Sequence, residues 1–353
     1  MRTNATAHPV LVTGGSGYIA SWIVHQLLER HIPVHATVRD PDDTCRTRAL
    51  VESARATGGQ LTLFKANLLD PGSFDEAMAG CEWVIHTASP FRLDIPDNPY
   101  EALIRPAVEG TRHVLDCVNR TDTVRRVVLT SSVVALYGDA REIVEAPHGV
   151  FTEEMWNTTS DECHQPYAAS KTLAEKEAWN IVQQQSRWDL ITIHPGFVLG
   201  PARSLRTDST SIRTMIDLGN GIYRRGIPEL WLGVVDVRDV AAAHIAAGLS
   251  PRVHGRYIAV AQSLRLMDIV HILLDHSCTR YPLPRAQISK CLVWIMAPAV
   301  GFTRRYVRRN VGYRIGFDAT RSRDELGIAY RPVRETVIAH FEQLIADGLI
   351  ESP

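Results

Sequence analysis

An α/β fold, a doubly wound parallel sheet covered by helices on both faces, is predicted by three features of the sequence. Short β runs alternate with helical patterns through roughly the first 200 residues. Those runs are almost continuously apolar, as strands buried on both faces must be. The first of them ends in glycines that open a helix. At 353 residues the chain has room for one large domain, or for two that share a core.

Val10–Thr13 is the first strand, and Tyr18–Arg30 follows with Ile19, Ile23 and Leu27 at helical spacing beside Trp22 and Leu28. His35–Val38 and Leu61–Lys65 are the next strands, Phe74–Met78 a short helix, and Trp83–His86 a strand. Leu103, Ile104, Ala107, Val108, Thr111, Val114, Leu115 and Val118 form the stripe of a long helix. Arg126–Thr130 is a valine-rich strand, Ala168–Gln185 a helix and Leu190–His194 a strand.

After Gly200 the rhythm changes. Residues 201–221 are polar, rich in Ser, Thr and Arg, and show neither period, which predicts a loop at a cleft mouth that orders on binding. Val234–Val240 predicts a strand leading into a helix over Val240–Gly248, and Arg256–Ala261 a further strand. The expected division is a nucleotide-binding domain of residues 1–200 and about 235–262. Residues from about 201–234 and 263–353 would complete a smaller, mostly C-terminal substrate domain.

Hydrophobic residues make up 45% and charged residues 22%, the balance of a soluble globular protein. A formal net charge of −1 gives the molecule as a whole no electrostatic reason to seek nucleic acid or an anionic membrane. The cysteines are scattered, with no metal-ligand spacing, and read as reduced thiols of a cytoplasmic protein. No metal is expected. The N-terminal residues lack the apolar core of a signal peptide. The longest apolar run, Cys291–Phe302, is too short to span a bilayer and is broken by Pro298. Followed by Arg304, Arg305, Arg308 and Arg309, it reads as a buried element and then a solvated helix; lying on a membrane or covering a ligand are the alternatives.

Three constellations carry chemistry. In Val10-Leu11-Val12-Thr13-Gly14-Gly15-Ser16-Gly17-Tyr18-Ile19-Ala20 a strand must turn tightly into a helix whose N-terminus meets a pyrophosphate. Gly14 and Gly17 let the backbone turn and approach phosphates, and Ala20 keeps the helix close to the strand. Thr13, Gly14, Ser16, Gly17, Tyr18 and Ile19 are therefore candidate cofactor contacts, and the fold class becomes Rossmann-type. Arg39 follows the second strand, where NAD-preferring sites place a carboxylate for the ribose 2′-hydroxyl; an Arg suits a 2′-phosphate, with Arg46 as a second cation. Asp40 beside it leaves the ribose reading open. Tyr167 and Lys171, at i and i+4, share one helix face, and the ammonium favours the phenolate, lowering the tyrosine's pKa into acid/base range. Ser131 and Ser132 at a strand end supply a hydroxyl to polarise a carbonyl, and Thr130 just before them joins the cofactor contacts.

These residues resemble the extended short-chain dehydrogenase/reductase superfamily, most nearly its dihydroflavonol reductase, cinnamoyl-CoA reductase and bacterial aldehyde/carbonyl reductase group. The resemblance runs along nearly the whole chain, through Thr37-Val38-Arg39-Asp40-Pro41, His86-Thr87-Ala88-Ser89-Pro90, Tyr167-Ala168-Ala169-Ser170-Lys171, His194-Pro195-Gly196-Phe197-Val198 and Asp236-Val237-Arg238-Asp239. It implies a catalytic triad of Ser132, Tyr167 and Lys171 and 2′-phosphate contacts from Arg39 and Arg46. It also implies Asn67 and Leu68 beside the adenine, Ala88 and Pro90 over the nicotinamide ribose, and Pro195, Gly196 and Val198 beside the carboxamide. Asn67 stands where the group usually has Asp. Tyr137 stands where plant dihydroflavonol reductases carry a substrate-reading Asn, and Cys163-His164-Gln165-Pro166 lacks the tryptophan-containing signature of cinnamoyl-CoA reductases.

The expected function is NADPH-dependent reduction of a ketone or aldehyde, reversible as alcohol oxidation, by a monomer or homodimer. The alternatives are an NAD-dependent sugar-nucleotide epimerase or dehydratase, which Arg39 argues against, and a non-catalytic dinucleotide-binding sensor or scaffold. Phe91, Leu93, Tyr137, Phe197 and Trp231 are candidate apolar walls that would favour a hydrophobic substrate. His164 is a candidate substrate contact, and His86 a packed core residue.

Overall fold

The computed structural model describes residues 8–89, 98–276 and 280–351. The described strands are β1 (Val10–Thr13), β2 (Val34–Val38), β3 (Leu61–Lys65), β4 (Trp83–His86), β5 (Arg126–Thr130), β6 (Asp189–Pro195), β7 (Phe197–Leu199), β8 (Ile227–Pro228), β9 (Trp231–Asp236), β10 (Gly255–Ala259), β11 (Gln262–Arg265) and β12 (Gln287–Ile288). The α-helices are α1 (Tyr18–Glu29), α2 (Thr44–Thr57), α3 (Asp75–Met78), α4 (Arg105–Arg120), α5 (Pro166–Val182), α6 (Thr210–Gly219), α7 (Val237–Leu249), α8 (Leu266–Asp275), α9 (Lys290–Met296), α10 (Arg304–Asn310), α11 (Thr320–Asp324) and α12 (Val333–Ala346).

The central sheet is parallel throughout and runs β10-β6-β5-β4-β1-β2-β3. Strand order reverses between β1 and β4, so the glycine turn after β1 opens at the switch point where a doubly wound sheet leaves a crevice. The apolar residues divide as a Rossmann-type α/β fold requires. Ile23, Val24 and Leu27 of α1 and Ala241 and Ile245 of α7 cover one face of the sheet. Val114, Leu115 and Val118 of α4, with Ala178 of α5, cover the other. The chain leaves this sheet at Gly196, whose backbone passes so close to the Gly233 carbonyl that a Cβ would lie 2.0 Å from that oxygen. Beyond it, β7 joins a second sheet, parallel to β9, with β11 antiparallel on the other edge of β9.

Three expectations need correction. Residues 210–219 are helical, not loop: Ile212, Met215 and Ile216 pack into the C-terminal core, where α6 meets β7 and α12, and the Ser/Thr/Arg face hid that spacing. The loop before α6 is tied down as well. Ala202 exchanges two hydrogen bonds with the Gln343 amide. Arg203 donates to Ser53 Oγ, and Arg206 donates to the Ser16 carbonyl. A mobile lid over 201–221 therefore does not follow. The helix α2 was not anticipated, because beyond Ala49 and Leu50 it offers little apolar surface; Asp43 caps it by accepting from Arg46 N. Finally, Cys291–Phe302 is not a buried element: of α9, Val293 alone is buried.

Candidate active site

The glycine turn has the shape a pyrophosphate cradle needs. Gly14 adopts φ +65°, and a Cβ there would lie 3.2 Å from Ala88, so an L side chain would be both strained and crowded. Gly14 N donates to Thr37 Oγ1 and Gly15 N to the Thr37 carbonyl, binding the turn to the end of β2. The first-turn amides of α1 have no intrahelical acceptor and offer themselves to an anion. Two residues expected here act differently. Thr13 is fully buried: its hydroxyl bonds His86 Nδ1 at 2.8 Å and accepts from Thr87 N and Ala88 N, locking β1 to β4. Tyr18 donates its phenol to the Gly200 carbonyl at 2.5 Å, which leaves only its backbone N–H for a ligand. His86 is buried, and burial pushes its pKa down to about 3, so it is a neutral packing residue.

At the end of β5 the serine pair splits. Ser131 is buried and donates to Glu175 Oε2 at 2.5 Å. Ser132 is half-buried and caps the turn Val133–Ala135, accepting weakly from Val134 N at 3.4 Å. Thr130 also turns inward: its hydroxyl bonds His244 Nε2 at 2.7 Å, so it is not a side-chain contact to a cofactor. Lys171 meets Ala88, Ser89, Thr130 and Ser131 around one narrow cavity of about 10 Å³.

Tyr167 and Lys171 lie on the first turns of α5. Burial pushes the Tyr167 phenol up to about 12 and the Lys171 ammonium down to about 8, the latter opposed by Glu175. This corrects the expected direction for the tyrosine, and removal from water is the cause. One turn further, Glu175 is 1% exposed, and sequence reasoning missed it, although an acid four residues after Lys171 was the available signal. It accepts from His194 Nε2 at 2.8 Å, Arg256 Nε at 2.8 Å, Thr192 Oγ1 and Trp179 Nε1 at 3.2 Å, besides Ser131. Those partners, His194 and Arg256 first, hold its carboxyl well below the usual carboxylate range. The Arg256 guanidinium stacks on Trp156 at 3.8 Å and donates to the Glu153 and Met155 carbonyls.

The start of α5 is braced from the other side. Gln165, immediately before Pro166, holds φ +56°, a left-handed conformation costly for a non-glycine residue. The fully buried Asp139 compensates, accepting from Gln165 Nε2, His164 Nε2, Arg309 Nε and Asn310 Nδ2. His164 is thus a brace rather than a substrate contact: it is 3% exposed and bonded to Asp139 at 2.9 Å.

Of the candidate apolar walls, Tyr137 stacks on Phe151 at 4.2 Å, and Trp231 and Phe317 join the same cluster, all half-buried except Phe151. Phe197 faces the C-terminal core from β7. Pro90, Phe91 and Leu93 lie outside the described residues. On the adenosine side, Arg39 is exposed directly after β2, two residues past the Thr37 that holds the glycine turn. Arg46 pairs with Asp43 at 3.4 Å and remains more than half exposed. Asn67 is exposed after β3, its amide donating to Asp70 while Leu68 packs against Gly110. Ala88 borders the glycine turn, and Pro195, Gly196 and Val198 line the passage from β6 to β7.

The sequence profile of the NAD dependent epimerase/dehydratase family matches residues 10–261. A cinnamoyl-CoA reductase (CAD2) of Medicago truncatula is 41% identical over 278 residues, covering 78% of this chain and 82% of that protein. Tetraketide alpha-pyrone reductase 1 of Arabidopsis thaliana is 37% identical, covering 77% and 81%. The yeast methylglyoxal/isovaleraldehyde reductase Gre2, solved in complex with NADPH, superposes with a TM-score of 0.78 at 27% identity over 97% of this chain and all of that one. With the glycine turn at the sheet's switch point, Ser132 just after β5, and Tyr167 and Lys171 on α5, the chain belongs to the NAD dependent epimerase/dehydratase family, the extended short-chain dehydrogenases/reductases.

Proposed function

We propose that the chain is an NADPH-dependent reductase of aldehydes or ketones. The observation that carries this reading is half-buried Ser132 just after β5 and half-buried Tyr167 on α5, with buried Lys171 one turn further lining a cavity with Ala88, the residue that borders the glycine turn. The cradle fits a dinucleotide because Gly14, at φ +65° and close against Ala88, lets the backbone turn tightly and α1 presents its first amides there. When bound, the cofactor supplies the hydride. Ser132 Oγ and Tyr167 Oη donate hydrogen bonds to the carbonyl oxygen, Tyr167 gives up its proton to it, and the Lys171 ammonium stabilises the phenolate left behind. Tyr137, Trp231 and Phe317 shape an apolar substrate side, which favours a hydrophobic carbonyl compound. The split into a nucleotide part of residues 1–200 and about 235–262, with the remainder forming a substrate part, belongs to the same proposal. So does a cytoplasmic location, supported by five free cysteines among the described residues.

NADPH oxidation followed across a panel of aldehydes and ketones tests it. Turnover of a sugar nucleotide without net cofactor consumption, and none of any carbonyl, would overturn it in favour of an epimerase. Within the reductase, the serines separate two roles. Ser132→Ala should lower turnover about tenfold or more with the melting temperature unchanged. Ser131→Ala, which leaves Glu175 one donor short, should cost about 1–3 kcal/mol of stability and little rate. The reverse pattern would exchange the assignments.

Cofactor choice rests on Arg39. Losing a charge-assisted bond to the 2′-phosphate costs about 1.5–3 kcal/mol, roughly ten- to a hundredfold in affinity. Arg39→Ala should raise the KM for NADPH by that factor and leave NADH nearly unchanged. A wild-type chain that uses both cofactors equally well would remove Arg39 from this role.

A further inference from the structure

Between Asp275 and Asp318 the sequence contains no acidic residue, yet it carries Arg280, Arg285, Lys290, Arg304, Arg305, Arg308, Arg309 and Arg314. A whole-chain net charge of −1 conceals this concentration. The same segment turns an apolar face outward. In α9 only Val293 points inward, packing with Ala297 against Val307 and Val311 of the α10 region. Leu292, Trp294, Ile295 and Met296 are 47%, 42%, 63% and 41% exposed, and Cys291, Pro298 and Ala299 are exposed beside them. A helix in water normally turns polar residues outward. Here the outward face is apolar and the cations rim it: Arg304 lies 4.6 Å over the Trp294 ring, and Arg305 and Arg308 are exposed along α10.

We propose that α9 and the start of α10 form a docking surface for an anionic lipid bilayer. The apolar side chains of α9 enter the boundary between headgroups and acyl chains, and Arg304, Arg305 and Arg308 meet lipid phosphates at the rim. A second copy of the chain fits less well, because a two-fold contact through α9 would bring two sets of these cations together, with Asp161 at 4.0 Å from Arg305 offsetting one charge in each set. The attachment is peripheral, since no helix among the described residues is long and apolar enough to cross a membrane. It also lies close to the site. Arg309 and Asn310 of α10 bond the Asp139 that braces α5, and Phe302 stacks on Tyr306, whose phenol acts electrostatically on that of Tyr137. A carbonyl compound dissolved in the bilayer would thus meet the substrate side directly.

The docking surface is independent of the reductase reading, and its test does not use activity as the primary readout. The full chain is co-sedimented with vesicles of phosphatidylcholine alone and of phosphatidylcholine with about one third phosphatidylserine. Binding is expected to the anionic vesicles and to weaken as salt is raised. The double variant Trp294→Ser/Ile295→Ser should lose about tenfold or more in partitioning, as apolar anchors leave the interface. Arg304→Glu/Arg308→Glu should lose at least as much, about fivefold for each cation removed. Both should retain wild-type melting temperature and turnover of a water-soluble aldehyde. Absence of sedimentation with either vesicle overturns the proposal, as does unchanged binding by both variants. Light scattering that finds a dimer abolished by Trp294→Ser/Ile295→Ser overturns it too, and assigns the face to self-association.

Discussion

Tyr167→Phe is expected to lower turnover by about 10²–10⁴-fold while the fold and NADPH affinity survive. The substitution keeps the ring and its packing on α5 and removes only the proton the carbonyl oxygen must receive. A folded variant that binds NADPH and keeps more than about a tenth of wild-type turnover would remove the acid role. The pH dependence follows from both groups. With its pKa pushed up to about 12, Tyr167 stays protonated across the ordinary range, so the tyrosine itself does not limit reduction there. Lys171, pushed down to about 8, loses its charge well before that. Reduction should therefore decline as pH rises through about 8, because a neutral amine no longer stabilises the phenolate formed on proton donation. Lys171→Met should flatten that limb at a low rate. It should not destabilise the fold near pH 7. A lysine whose folded pKa is depressed costs stability below that pKa, and the cost fades as pH climbs from about 8 toward the ordinary value.

Glu175→Gln is expected to destabilise the chain by about 3–5 kcal/mol, the usual consequence of removing one partner from a buried ion pair. Arg256 and His194 would be left with no carboxylate in a site where Glu175 is 1% exposed. Urea unfolding at neutral pH measures this, and a loss below about 1 kcal/mol would show the network to be dispensable. Glu175→Leu combined with Arg256→Met should recover much of the stability, because it removes both charges together. Since the Glu175 carboxyl is held below its ordinary pKa of 4.5, its contribution is present above that value and is lost as pH falls beneath it. A second readout separates positioning from mere structure. Glu175 raises the Lys171 pKa, so in Glu175→Gln the alkaline limb of reduction should move to lower pH.

Patterns that depend on near neighbours were legible. The short, almost continuously apolar runs of β1 to β6, the helical stripe of α4, and the turn from Thr13 to Ile19 each sit within about 20 residues of chain, where local composition and spacing set the element. The helices α2 and α6 escaped because their stability comes from what they pack against, not from their own composition: α2 has few apolar residues, and α6 hides Ile212, Met215 and Ile216 among Ser, Thr and Arg. His164 was misjudged for a related reason. Three residues before Tyr167 it is near the catalytic helix in sequence, but Asp139, Arg309 and Asn310, far away in the chain, turn it into a brace.

The sequence by itself determined the chemistry-bearing set: a glycine turn after the first strand, Arg39 after the second, and Tyr167 with Lys171 one turn apart behind a serine pair. Each follows from local geometry, a backbone that must approach a phosphate or two side chains one helical turn apart. Which serine faces the cleft, which acid supports the lysine, and which way the pKa values of Tyr167 and Lys171 move were decided only by the tertiary structure. Ser131 points inward because Glu175, His194 and Arg256, from α5, β6 and β10, converge on one buried point. Desolvation at Tyr167 and Lys171 depends on everything packed around them, and no spacing rule along one chain segment contains that information.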